Sequence, residues 1–177
     1  MKVIFLDVDG VLNYEHSKAR CGEFIGIDSD KVKKLKEIVD ATDAAIVLSS
    51  TWRLGYNKDH CDLENHAKYL SNKLGKQHLR SVGMTPDLGR NGAFRGHEIK
   101  AWLDKNDDIV DGWVVLDDEW FWDFNELDIG QHLVRTSFYG EDGGLQEEHV
   151  QEAIRILNGE LNDEERTETE EKDKAEE

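Results

Sequence analysis

Val3 to Leu6 form an unbroken apolar run that stops at Asp7 and Gly10. A short run of this kind, closed by turn residues, predicts a strand buried on both faces, as in a parallel sheet. Asp28 and Ser29 follow as N-cap oxygens. Val32, Leu35, Ile38 and Val39 then recur at helical spacing, which predicts a helix over residues 30–41. Ala44 to Leu48 repeat the buried-strand pattern and end on Ser49, Ser50 and Thr51. Leu63, Ala67, Leu70 and Leu74 mark a helix over residues 62–74 in an otherwise polar stretch. Residues 78–84 read as a third strand. Pro86 then opens a glycine-rich loop, residues 87–96, that leads into a helix over 97–103. Val114 to Leu116 make another buried strand, which ends on Asp117 and Asp118. Residues 132–136 read as a further strand, and Val150, Ile154 and Leu157 give a last helix stopped by Gly159.

This alternation predicts an α/β fold, a Rossmann-like three-layer sandwich around a mostly parallel sheet. Ligands of such sheets gather beyond the carboxyl ends of the strands. Three predicted strand ends carry polar clusters: Asp7 with Asp9, Ser49 to Thr51, and Asp117 with Asp118. The fold brings all three to one edge.

Charge sharpens this picture. The formal net charge is −17, and residues 159–177 hold ten acidic and three basic side chains. So polar a segment buries too little to offset the entropy of ordering. The expected organisation is one domain over residues 1–158 and a disordered acidic tail over 159–177. The body is acidic as well, which argues against an extended nucleic-acid footprint, because that kind of binding needs Lys and Arg against phosphates. The two cysteines, Cys21 and Cys61, imply no disulfide framework and suit a reducing cytosol. The N-terminal apolar run is too short for a signal core, and no stretch is long enough to span a membrane. A cytoplasmic protein that does not engage membranes is expected.

Asp7 and Asp9 flank a single residue, so their carboxylates repel unless a cation or proton intervenes. A hard, oxygen-liganded ion such as magnesium meets that need and commonly brings phosphate. An Asp can also attack phosphorus, and a second can protonate the leaving oxygen and later activate water. Gly10 lets the backbone turn away without a side chain in the site. A calcium loop starting at Asp7 would need an acid at its twelfth position, where Lys18 stands.

VIFLDVDGVL, residues 3–12, resembles the first motif of the haloacid dehalogenase (HAD) superfamily of phosphatases. The resemblance implies that Asp7 is the nucleophile and a metal ligand. It implies that Asp9 is the general acid and base, with its backbone carbonyl reaching the metal. The family's second motif, a Ser or Thr after a strand that binds phosphoryl oxygens, is met by AIVLSSTWR. Ser49 follows the apolar run as Asp7 follows its own, and Ser50 is close behind. Arg53 is a candidate to bind a substrate anion, against the alternative of a surface Arg. The third motif, a basic residue opening a helix, fits Arg95 in FRGHEI, with Lys100 as runner-up. The fourth is acidic and follows a strand; Asp117 and Asp118 in WVVLDDEWFWD supply it, either one binding magnesium. DVDGVLN, SSTWR and RGHEIKAWL are similar to the HAD domains of Swiss-Army-knife RNA repair proteins.

The family often gates its site with an inserted cap domain. Here the piece left over between the first motif and the next helix, residues 14–27, makes a small flap at best, so no large cap is expected. An open site suits a bulky or macromolecular phosphoester, such as a nucleic-acid end or a phosphoprotein, unless a partner subunit closes it; the expected partner is a phosphorylated substrate, a small molecule or a nucleic-acid end. Trp120, Phe121, Trp122 and Phe124 lie beside the fourth motif. They either stack a base or, as the plainer reading has it, cover the sheet edge and fill core. His60, Cys61 and His66 are too loosely placed for a zinc site. The expected activity is magnesium-dependent phosphomonoester hydrolysis through an aspartyl-phosphate. Two alternatives remain, a phosphotransferase using the same residues and a non-catalytic binding module of the same fold. Receiver domains also take phosphate on Asp, but lack the second acid that Asp9 provides.

Overall fold

The computed structural model describes residues 1–57, 64–89 and 94–161. Strand β1 (Lys2–Leu6) is followed by a small hairpin, β2 (Arg20–Cys21) and β3 (Phe24–Ile25), then helix α1 (Ser29–Thr42) and β4 (Ala45–Leu48). A 3-10 turn (Thr51–Tyr56), α2 (Glu64–Gly75), β5 (Ser81–Met84) and α3 (Arg95–Leu103) come next. Then β6 (Gly112–Asp117), a second 3-10 turn (Gly130–His132), β7 (Leu133–Arg135) and α4 (Glu147–Leu157) complete the described chain. Five strands form a parallel sheet in the order β5-β4-β1-β6-β7.

The alternation of side chains along β1 builds the three layers. Ile4 and Leu6 face one way, into a core completed by Leu35 and Ile38 of α1, Leu70 of α2 and Val150 and Ile156 of α4. Val3 and Phe5 face the other way, against Ile99 of α3 and Phe124 and Ile129 of the segment after β6. A strand apolar on both faces is what a parallel sheet covered by helices requires. Each of these side chains contributes about 1.5–3 kcal/mol by leaving water.

Several element boundaries differ from expectation, each for a local reason. The third strand is shorter than residues 78–84. The amides of His78 and Leu79 close the end of α2 by bonding the carbonyls of Gly75 and Leu74, so the strand begins only at Ser81. Helix α3 starts at Arg95 rather than 97, because its cap comes from elsewhere. No side chain at Phe94 caps it, and the carboxylate of Asp123 instead accepts from the His97 amide at 3.0 Å. The stretch 14–27 holds the β2–β3 hairpin, whose strands are too short to show a period. Parts of three expectations lie outside the described residues: the first two positions of the helix over 62–74, the middle of the 87–96 loop, and the tail beyond 161. Among the described residues no helix is long and apolar enough to cross a membrane.

Candidate active site

The sheet ladder runs one residue past the strands and carries the site with it. The Asp7 amide bonds the Leu116 carbonyl at 3.0 Å, and the Ser49 amide bonds the Leu6 carbonyl at 2.9 Å. Asp7, Ser49 and Asp117 therefore stand side by side at the carboxyl edge. Asp7, Asp117 and Asp118 each offer a carboxylate oxygen within 4.8 Å of the others. Gly10 makes that approach possible. Its φ is +76°, and a Cβ there would lie 2.2 Å from the Asp118 carboxyl carbon.

Arg95 reaches this cluster from the start of α3. Its Nη2 is 3.3 Å from Asp7 Oδ1, its Nη1 is 3.5 Å from Ser49 Oγ, and its Nε is 3.4 Å from Asp117 Oδ2. The guanidinium also packs over the Phe121 ring at 5.2 Å. Asp9 is held by two donors: Trp52 Nε1 gives to Oδ2 and Asn13 Nδ2 gives to Oδ1, both at 2.8 Å. Asn13 in turn accepts the Gly10 amide at 3.1 Å.

One Arg does not balance so many acids. Burial pushes the Asp7 carboxyl up to about 6, against the pull of Arg95, with Asp9 and Asp118 adding to the rise. Burial likewise raises Asp118 to about 6, and burial with the Asp7 charge raises Asp117 well above the carboxylate range. Asp117 Oδ2 is buried and receives no hydrogen bond. Three converging carboxylates short of positive charge, with oxygen donors only, fit a hard divalent cation.

A cavity of about 300 Å³ opens above the cluster. Asp7, Asp9, Arg95, Asp117 and Asp118 all line it, so five of the expected site residues meet there. Ser49 and Ser50 are buried behind it, and Thr51 is the member of that loop that faces the cavity. Ser49 meets Arg95, while Ser50 lowers the Asp7 carboxyl and caps the 3-10 turn through the Trp52 amide.

Two expectations need correction. Arg53 does not face a substrate. It is 3% exposed and pairs with Glu98 at 2.8 Å, and its remaining donors go to the carbonyls of Ser50, Thr85 and Pro86. Lys100, the runner-up to Arg95, is an exposed residue paired with Asp104 one turn on. The side chain of Asp9 lines the cavity but stands outside the three-carboxylate cluster. The aromatic segment after β6 divides. Phe124 is core, Trp120 packs on core, Phe121 lies under Arg95, and Trp122 sits by Phe94 and His97. Of the loose histidine and cysteine set, His60 and Cys61 lie outside the described residues, and His66 packs edge-on against Trp52.

The residues missed from sequence are those that touch the site from afar. Trp52 and Asn13 hold Asp9. Thr136 donates to the Gly10 carbonyl at 2.6 Å, and Phe138 and Tyr139 line the cavity mouth. The spacing of the motifs gives no sign of Trp52, Thr136, Phe138 or Tyr139, because tertiary folding makes those contacts, whereas Asn13 reaches Asp9 and Gly10 from within the same loop.

No curated protein matches the chain. A family model described as the HAD domain in Swiss Army Knife RNA repair proteins matches residues 3–150, which takes in all five strands of the sheet and every residue lining the cavity. HAD domains are generally hydrolases of phosphohydrolase type that use a metal ion, and the acidic cluster is a place for one. On the sequence match and the fold together, this chain belongs to the HAD domain family of Swiss Army Knife RNA repair proteins.

Proposed function

We propose that the chain is a magnesium-dependent phosphomonoester hydrolase that acts through an aspartyl-phosphate on Asp7, on a nucleotide or a nucleic-acid end. The observation that carries this reading is the placing of Asp7 and Asp9 on one cavity with different partners. Asp7 faces Arg95 at 3.3 Å among carboxylates, and Asp9 is held by Trp52 and Asn13. Two acids set in different environments is the arrangement that separates a nucleophile from an acid and base.

In this reading a carboxylate oxygen of Asp7 attacks phosphorus, and the bond to the leaving oxygen breaks. Asp9 gives that oxygen a proton. Asp9 then takes a proton from water, which attacks phosphorus and releases Asp7. Arg95, with Ser49 behind it at 3.5 Å, holds the phosphoryl oxygens and balances their charge. Asp7, Asp117 and Asp118 are the side chains that would hold magnesium, which when bound supplies charge neutralisation to the phosphoryl group. The catalytic body is residues 1–158, its setting is the cytoplasm, and the acidic tail is dispensable.

The test is hydrolysis of an aryl phosphate with and without magnesium. Turnover should require the metal and should fall by at least about a thousand-fold in Asp7→Asn. Equal turnover by wild type and variant would discard Asp7 as nucleophile. Removing residues 159–177 should leave turnover unchanged.

A further inference from the structure

The cavity has an acidic floor and an aromatic lip. Among the described residues Asp7, Asp9, Asp117, Asp118 and Glu119 face it, against the cation Arg95. The lip comes from a different part of the chain, the loop after β7. There Phe138 is half-buried and Tyr139 is 73% exposed, with their rings edge to face at 5.3 Å.

An exposed aromatic on a loose loop carries little meaning, but this loop is tied to the first motif at several points. The Thr136 amide continues the ladder to the Asp117 carbonyl at 3.0 Å, and its hydroxyl bonds the Gly10 carbonyl. The Glu15 amide donates to the Phe138 carbonyl at 2.9 Å, and the Gly140 amide donates to the Glu15 carboxylate at 2.7 Å. Ser137 Oγ accepts the Tyr139 amide at 3.1 Å, and the Gly144 amide closes the loop on the Ser137 carbonyl at 2.8 Å. The Tyr139 backbone is thus held at the cavity mouth before any substrate arrives, so little ordering remains for binding to bring about.

We propose that Tyr139, supported by Phe138, is the leaving-group subsite, and that it stacks the base of a nucleoside carrying a single terminal phosphate. This rests on the phosphomonoesterase reading above. The cavity volume is at the lower limit for small-molecule sites, so it takes the phosphoryl group and leaves a larger group to project past the lip. A planar base gains from an aromatic face whatever its identity, because every base has a π-face. The charge of the described residues favours a single phosphate. One metal and Arg95 can balance one phosphoryl group beside these carboxylates, whereas a second phosphate would meet Glu119 and Glu15 nearby. Among the described residues Arg135 is an exposed cation next to the site, and its Nε donates to the Asp118 carbonyl at 3.3 Å. A nucleoside monophosphate and the phosphorylated end of a strand share this chemistry.

The experiment compares the full chain with Tyr139→Ala and Tyr139→Phe, in magnesium. The substrates are glycerol 2-phosphate, a nucleoside monophosphate, the matching triphosphate and a short oligonucleotide with a terminal phosphate. Tyr139→Ala should lower kcat/KM about ten-fold on the nucleoside monophosphate and leave glycerol 2-phosphate unchanged. Tyr139→Phe should behave as wild type, since stacking needs the ring and not the hydroxyl. The triphosphate should be poorer than the monophosphate. Whether the oligonucleotide exceeds the monophosphate tells which source of the terminal nucleoside is preferred. An equal loss on both small substrates, or no loss on either, overturns the subsite. Binding is read separately by calorimetry on Asp7→Asn, with and without Tyr139→Ala. Tyr139→Ala should weaken the nucleoside monophosphate about ten-fold and leave inorganic phosphate unaffected. If no phosphate ester is turned over but this binding difference is seen, the hydrolase reading fails and the subsite stands. If turnover is seen without a ring-dependent difference, the reverse holds.

Discussion

Arg53 and Arg95 are the same residue type at nearly the same depth, 3% and 5% exposed, on the same side of the sheet edge. They are used in opposite ways. Arg53 has every nitrogen engaged, with Glu98 at 2.8 Å and three backbone carbonyls at 2.8–3.1 Å. Arg95 makes only long contacts of 3.3–3.5 Å, and its Nε has no hydrogen bond at all. Burial pulls both guanidinium pKa values down. At Arg53 burial prevails over Glu98, while at Arg95 the charges of Asp7, Asp117, Glu98 and Glu119 outweigh it. The difference is one of completeness. The first is a finished clamp that ties the loops after β4 and β5 to α3. The second keeps donor capacity in reserve, and a guanidinium has five N–H groups to give.

This contrast is sharpest in what removal of each should do. Arg53→Ala leaves Glu98 buried without its partner, so it should cost about 3–5 kcal/mol of stability, read by chemical denaturation. The double change Arg53→Met with Glu98→Leu should recover much of that loss. If Arg53→Ala folds as stably as wild type but loses turnover, the clamp is not structural and the comparison breaks. Arg95→Ala should do the reverse. Turnover should fall about 100- to 1000-fold with far less loss of stability, because its interactions are completed only when the phosphoryl group is bound.

A smaller effect reports the charge that Arg95 leaves unbalanced. Without metal, the Asp118 carboxyl is raised by burial to about 6 from an ordinary 3.8. A raised carboxyl favours the folded state when protonated, so its ionisation costs stability as pH rises through that window and the full cost is present above it. In a chelator, Asp118→Asn should therefore match wild type near pH 4 and be the more stable protein at pH 7. Magnesium should reverse the order at pH 7. Coincident stability profiles would mean that the cluster is not short of charge. Smallest of all, Trp52→Phe removes one N–H from Asp9 and should cost about 1 kcal/mol, a five-fold fall in kcat. The fall should be larger on alkyl than on aryl phosphates, because an alkoxide leaving group depends more on the proton.

The same pair shows what the sequence could and could not carry. Asp7 with Asp9 and Asp117 with Asp118 were legible because each pair stands at the end of a buried strand, and parallel strands put their ends on one edge. Arg95 was legible only through the resemblance of its motif, since α3 has no cap residue to mark its start. Arg53 looked like a ligand for an anion because its partners lie far along the chain, with Thr85 32 residues on. Thr51 took the cavity position expected of Ser49 because the 3-10 turn rotates the loop after the ladder ends. Phe138 and Tyr139 gave no signal, being brought to the site by bonds to Glu15 and Gly10 that no local pattern encodes.

Helix α3 begins on a carboxylate that lies beyond its own end, at Asp123. The ribosome makes the chain from the amino end, so Asp7, the serines and Arg95 are all synthesised before that carboxylate exists. A growing chain that has not yet delivered residue 123 lacks this acceptor for the first turn of α3, although Glu98 and Ile99 can already dock on Arg53 and β1. The setting of Arg95 is complete only when β6 and the segment after it have docked, bringing Asp117 to its Nε and Asp123 to the His97 amide.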